Sequence, residues 1–323
     1  MGRPIGRRSD RARSIEVVKP LSQDSAILKA EGMIFQKPLS PAHVRSLVET
    51  NRDTLAGYVL NVADVQHVKS PKDLYEAHGL GFPGSPWDPD AEFLDVLRFQ
   101  APPSPYVHTA IAPEFVDRPP FSGTGFAQWG GGVAPVWFID ECRIPPRAQL
   151  WRIREGHEEQ LLAVYVDVAT GWGVMEGADI ATPKHTVPQS VLGWVAMWDG
   201  YQFPADLIGD QIVLAAASAP PEEVTGFRPT MRGCWSREVP VAEVQDFFEV
   251  NAVCRWRDQP FRITDVIHGE NERIFRLFYT GHNADVAESL GLNKADAGVY
   301  WTVQPESLVT DVEMFQSRMR AAR

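Results

Sequence analysis

Apolar residues recur along the chain in two rhythms, a helical one in short stretches and an alternating one over much of the rest. Val44, Leu47 and Val48 share a face behind Ser40-Pro41, where serine suits an N-cap and proline the first helical position. A helix is therefore predicted there, ending near Asn51, with a short strand after it from Gly57. Ser70-Pro71 repeats the capping device, and Leu74, Tyr75 and His78 follow at helical spacing until Gly79 offers a left-handed stop. Between residues 79 and 90 glycine and proline oppose regular structure, and Phe82 and Trp87 are the side chains able to pin that loop. Residues 91–100 fit a strand or a short helix, because their periodicity does not separate the two.

Beyond residue 147 the pattern turns to β. Runs at 148–153 and 161–167 flank Arg154-Glu-Gly-His, where Gly156 marks a hairpin turn, and Trp172 and Met175 close the segment. The apolar-poor stretch 180–190, with Pro183 and Pro188, marks a boundary. An internal echo follows: 195–205 aligns without gaps on 253–263, pairing Trp198 with Trp256 and Phe203 with Phe261. Each copy leads to a second β-rich run, at 211–216 and 274–279, which suggests a duplicated small β module. Residues 240–248 read as a helix with Pro240 in its first turn, 283–290 as another stopped by Gly291, 299–303 as a late strand, and Pro305 as the opening of a final helix. The expected class is α+β, mostly antiparallel sheet with peripheral helices. The expected organisation is a disordered basic tail (1–25), an α+β domain (26–185) and a tandem β-module domain (186–323).

Charge and cysteine content narrow the function. The formal net charge of −11 repels phosphate backbones, so nucleic acid is not an expected partner despite Arg3, Arg7, Arg8, Arg11 and Arg13 in the tail. No run approaches the roughly 20 apolar residues that span a bilayer, and no apolar segment follows the arginine-rich start, so neither membrane nor export is expected. Cys142, Cys234 and Cys254 are scattered without Cys-x-x-Cys spacing, which fits a reducing cytoplasm.

Candidate chemistry centres on residues 121–153, the densest mix of glycine and aromatic side chains, where positive φ or a close approach would call for glycine. Several known patterns are absent. Leu161 stands four residues after His157, so no second imidazole shares a helical face with it, and no metal site is expected. Gly130, Gly131 and Gly132 lack Gly-x-Gly-x-x-Gly spacing, and no phosphate loop with Gly-Lys-Ser exists. Cys142, between Glu141 and Arg143, reads as a structural thiol, and Ser122 lacks the Gly-x-Ser-x-Gly elbow.

Two resemblances add expectations. Arg98, then Tyr106-Val-His108, then Phe126-Ala-Gln128-Trp-Gly130-Gly131-Gly132 resembles the order of features in the necrotizing-toxin NAD glycohydrolase domains of actinobacteria. That resemblance implies Arg98 on the pyrophosphate of NAD, Tyr106 or Phe126 stacked near the nicotinamide beside the glycines, and His108 and Gln128 lining the pocket. Glu159 or Glu158 would be the carboxylate facing the oxocarbenium-like charge. The family's glutamine after the glycine triplet is replaced here by Val133-Ala134. More broadly, Leu150-Trp-Arg-Ile, Trp198-Asp-Gly-Tyr and Tyr279-Thr-Gly are similar to segments of actinobacterial proteins of polymorphic-toxin or type VII secretion loci. This implies a protein-binding role, as immunity factor or adaptor. The favoured expectation is a cytoplasmic binding module without cofactor, whose acidic surface and aromatics near Trp129 and Trp137 meet a basic protein; the alternative is an NAD-consuming enzyme.

Overall fold

The computed structural model describes residues 32–81, 85–102, 106–117, 123–188, 191–220, 224–269 and 272–318. The basic tail, Phe82 and Ser122 lie outside the described residues. Within them the protein is mostly antiparallel β-sheet, arranged as one nine-stranded and one eleven-stranded sheet with three short α-helices.

The first sheet comprises β1 (Ile34–Leu39), β2 (Thr54–Asn61), β3 (Phe93–Gln100), β4 (Val107–Thr109), β5 (Phe126–Trp129), β6 (Gly132–Arg143), β7 (Ala148–Arg154), β8 (Gln160–Tyr165) and β9 (Trp172–Val174). Its order is β4-β6-β2-β1-β3-β7-β8-β9, with β5 also paired to β6. Residues 91–100 thus resolve as a strand. Helices α1 (Pro41–Glu49) and α2 (Pro71–Ala77) form where the serine caps stand: Ser40 Oγ accepts from the His43 N–H, Ser70 Oγ accepts from the Asp73 N–H, and Gly79 turns left-handed after α2. Strand β2 is buried on both faces, because Leu55 and Val59 enter one apolar core while Ala56, Tyr58 and Leu60 enter another.

The second sheet comprises β10 (Leu192–Trp198), β11 (Tyr201–Ile208), β12 (Gln211–Ala216), β13 (Arg228–Pro229), β14 (Trp235–Pro240), β15 (Asp246–Trp256), β16 (Gln259–His268), β17 (Arg273–Tyr279), β18 (Asn293–Asp296), β19 (Val299–Pro305) and β20 (Thr310–Arg318). Its order is β13-β14-β12-β11-β10-β15-β16-β17-β19-β18, with β20 paired to β15. The two echoed segments are both two-residue hairpins. Asp199-Gly200 and Arg257-Asp258 all take positive φ, the geometry that matches the twist of the flanking strands.

Helix α3 (Ala284–Ser289) forms as expected, with the Asn283 side chain as its cap and Gly291 left-handed behind it. The other two helices expected in this half do not form. Pro240 and Pro305 each open a single 3₁₀ turn, Val241–Glu243 and Glu306–Leu308, and the chain then re-enters β structure as β15 and β20. Proline's fixed φ serves a strand corner as well as a helix start, and the ladder between β15 and β20 outweighs local propensity.

Candidate functional site

The glycine triplet closes a hairpin. Trp129 pairs with Gly132, so Gly130 and Gly131 form a two-residue turn, and both are exposed. None of the three glycines takes a left-handed φ, whereas Gly123 and Gly125, earlier in the same stretch, do, at 69° and 78°. The close approach is to a ring of the same hairpin: a Cβ on Gly131 would lie 2.6 Å from Trp129 Nε1. Trp129 is half-buried and stacked on His67 at 5.9 Å, whereas Trp137 is only 7% exposed and belongs to the core. The exposed tryptophan surface expected at Trp137 is thus replaced by other residues. Phe126 and Val133 project from the outer face of the hairpin, 54% and 60% exposed. Ile111, 48% exposed, joins them by lying against Gly125. On the other face Ala127 and Ala134 enter the core. Beside the turn, Tyr75, Glu76, Gln128 and Trp129 line a shallow depression of about 350 Å³.

Of the remaining sequence-derived candidates, Arg98 and Glu159 meet each other, and Tyr106 and His108 lie elsewhere. Arg98, on β3, donates to Gln36 and to both oxygens of Glu159 at 2.5 and 3.0 Å, and lies 5.7 Å from the Trp151 ring centre. This fork holds the Glu159 carboxyl below its usual range. Tyr106 is 1% exposed, with the Arg262 guanidinium 3.7 Å above its ring, and burial pushes its hydroxyl well above the usual value. That ring has no face open to a nicotinamide. Gln128 points outward from the hairpin. His108 is on β4, four strand positions from β3, so about 19 Å at about 4.8 Å per strand separates it from Arg98. No single cleft among the described residues gathers Arg98, His108 and Gln128.

His108 has other company, supplied by the C-terminal end of β6. One residue of β2, Ala56, lies opposite two of β6, Asp140 and Glu141, and this bulge aims consecutive polar side chains in different directions. Glu141 is gripped by Arg52, Thr54 and Arg276 at the wall of a polar cleft of about 290 Å³. Cys142 is buried, and burial pushes its thiol far up, which fits the structural reading. Arg143 crosses to the second sheet and donates to the carbonyls of Leu192 and Trp194. Asp140 is met by two imidazoles: His108 Nε2 at 3.0 Å from Oδ2, and His282 Nε2 at 3.5 Å from Oδ1. Burial lowers the His108 pKa, but hydrogen bonding and charge attraction from Asp140, helped by Glu114, outweigh it and the net shift is upward. For His282 burial dominates, and with the neighbouring His108 it leaves the pKa below its usual value despite Asp140.

Sequence reading singled out His108 but missed Asp140 and His282, which lie 142 positions apart. A faint signal existed at each. The run Asp140-Glu-Cys-Arg places three charges at the end of an apolar strand, and His282 follows glycine between a strand and a capped helix. Among the described residues these three form a group whose ligand atoms all lie within 4.8 Å of one another, close enough to share a metal ion.

Comparison with family models, with curated proteins and with solved structures returned no match to this chain. Among the described residues no helix is long and apolar enough to cross a membrane.

Proposed function

We propose that the protein acts in the cytoplasm by binding a basic protein partner through the outer face of the β5–β6 hairpin, in the manner of an immunity factor or adaptor of a bacterial toxin or secretion system. The observation that carries this reading is the trio Ile111, Phe126 and Val133, each 48% or more exposed, with Phe126 and Val133 on one face of the hairpin and Ile111 beside Gly125. A large apolar group is left in water where a polar one would satisfy the hairpin equally, and a partner would supply its cover. The net charge of −11 supports a basic partner. The similarity to proteins of toxin and secretion loci supports the class of partner.

Within the same reading, the second sheet is two copies of one unit. Three equivalences support it. Val195 pairs with Pro204 as Val253 pairs with Arg262; Gln211 pairs with Pro240 as Ile274 pairs with Pro305; and Val195 pairs with Phe248 as Val253 pairs with Glu313. Strand β15 closes the first copy and opens the second.

The test replaces Phe126 and Val133 together by aspartate. Both side chains are exposed, so stability should change by less than about 0.5 kcal/mol. Capture of the products of adjacent genes should be lost, and wild-type capture should weaken with rising salt. Equal capture by the double variant would remove the hairpin as the contact.

A further inference from the structure

His108, Asp140 and His282 come from three elements that share no local sequence, and the fold spends several contacts to bring them together. β4 is pinned to β6 by the pairing of His108 with Phe138. The loop before α3 is pinned by Val116, whose N–H donates to the His282 carbonyl at 2.9 Å and whose carbonyl accepts from the Ala284 N–H at 2.7 Å. His282 takes a left-handed φ of 50°, which directs its ring inward, where Phe115 stacks on it at 4.3 Å and Phe138 meets it edge-on at 5.0 Å.

A hydrogen-bonded cluster alone would account for His108 and one oxygen of Asp140. It does not account for the other half. Asp140 Oδ1 is buried and has no hydrogen-bond partner, although the side chain is only 10% exposed and His282 Nε2 stands 3.5 Å away. A carboxylate oxygen removed from water in this way is costly unless a cation meets it. The donor atoms of the three side chains all lie within 4.8 Å of one another. Zinc-type ions bind imidazole nitrogen and carboxylate oxygen at about 2.1 Å, which at tetrahedral angles sets donors about 3.4 Å apart. The two imidazoles approach different oxygens of Asp140, His108 Nε2 at 3.0 Å from Oδ2 and His282 Nε2 at 3.5 Å from Oδ1, separations near that spacing, and a small inward movement of the rings would bring all three ligand atoms to it.

We infer that His108, Asp140 and His282 form a binding site for one first-row divalent transition-metal ion of the zinc type, with two imidazoles and one carboxylate as protein ligands. Two nitrogen donors disfavour magnesium and calcium, which take oxygen. The aromatic roof of Phe115 and Phe138 gives the apolar surround that strengthens such sites. His108 is the most exposed of the three, with its side chain 35% accessible, so the open coordination position faces solvent on its side. Three protein ligands with an open position is the arrangement of a reactive centre more than of a closed structural one.

The site is independent of the hairpin, so it stands or falls apart from the binding reading. Full-length protein without a histidine tag is stripped with a chelator and titrated with Zn²⁺, Co²⁺ and Mg²⁺, with uptake measured by elemental analysis and folding by circular dichroism. Zinc and cobalt should saturate at about one ion per chain and raise Tm, with magnesium inert. His108→Asn, at the half-exposed ligand, should remain folded and lose at least about tenfold in affinity, and His282→Gln should do the same. His157→Asn, on the exposed β7–β8 turn, should leave uptake unchanged. Absence of saturable uptake by the folded wild type, or uptake by His108→Asn equal to wild type, would overturn the inference.

Discussion

The pair Asp53–Arg232 is the place where the two sheets can be tested as one folding unit. Arg232 lies between β13 and β14 and is 1% exposed, yet its guanidinium reaches into the first sheet's side of the molecule. It donates to Asp53 Oδ2 at 2.8 Å, to the Val168 carbonyl at 2.6 Å and to the Asn51 carbonyl at 3.4 Å. At an effective dielectric of about 20, unit charges about 4 Å apart attract by about 4 kcal/mol. Asp53→Ala leaves the cation buried with only carbonyls, and losing one member of a buried pair costs about 3–5 kcal/mol. The two retained carbonyls set the expected loss near the lower end, about 3 kcal/mol. With a urea slope of about 3 kcal/mol/M, the denaturation midpoint should fall by about 1 M. Tryptophan fluorescence and far-UV circular dichroism should shift together. Arg232→Met should cost a similar amount, and the double variant Asp53→Ala/Arg232→Met should cost at least about 2 kcal/mol less than the sum. Additive costs, or a loss below about 1 kcal/mol for Asp53→Ala, would refute the view that this pair ties the sheets.

Burial raises the carboxyl pKa of Asp206 to about 7, against attraction from Arg143 and with repulsion from Asp167 and Asp53, and that of Glu249 to about 7, against Arg262, Tyr106 and Arg143. A folded pKa above the unfolded one means that the folded state holds more protons between the two, so stability should fall as pH rises from about 4 to about 7, by on the order of 4 kcal/mol for Asp206 alone. Asp296 works in the opposite sense: burial is outweighed by Lys37 and His43, its pKa is lowered, and its contribution disappears as pH falls through that lowered value. Thermal melts across this range should therefore peak near pH 4, with Asp206→Asn flattening the alkaline side; a melting temperature that climbs steadily to pH 8 would contradict this. Gly193→Ala should cost about 1–3 kcal/mol in urea denaturation, because φ is +84° and the new Cβ would lie 2.9 Å from the Arg143 guanidinium carbon; a neutral result would mean that Arg143 can move aside freely. Gly131→Ala should displace Trp129 from His67 and change its fluorescence, while Gly130→Ala, with nothing within 4 Å, should leave the spectrum as it is.

Devices carried by neighbouring residues were legible in the sequence. The serine-proline caps of α1 and α2, the Gly291 stop behind α3 and the Gly156 hairpin each complete their hydrogen bonds or their turn within a few positions. The echo around Trp198 and Trp256 was visible because each tryptophan closes a two-residue hairpin at the same register, opposite Tyr201 and Gln259. Its second turn was harder to read, since Arg257-Asp258 takes positive φ without glycine. Pro240 and Pro305 misled for a physical reason: their fixed φ opens a helix and a 3₁₀ strand corner alike, and the deciding contact is a ladder between distant residues, from Arg255 with Thr310 to Phe248 with Arg318.

The candidate site was illegible for a related reason, visible in four consecutive residues of β6. Strict alternation would send Asp140 and Cys142 to one face and Glu141 and Arg143 to the other. The bulge opposite Ala56 breaks that rule, and each side chain finds a partner from a different part of the chain. Asp140 meets His108 and His282, Glu141 meets Arg52 and Arg276, Cys142 enters the core, and Arg143 reaches the β10 backbone at Leu192 and Trp194. A period-two reading of β6 sees charged residues at the end of an apolar strand and takes them for solvent-facing ones. They are buried because the second sheet closes over them, and the resulting burial of Asp140 and Glu141 is affordable only with cations or imidazoles in place. The same step that joins the two sheets therefore assembles the two imidazoles and the carboxylate. A variant that separates the sheets, such as Asp53→Ala in urea, should lose zinc uptake in the same transition in which tryptophan fluorescence changes, and uptake persisting beyond it would uncouple site from fold.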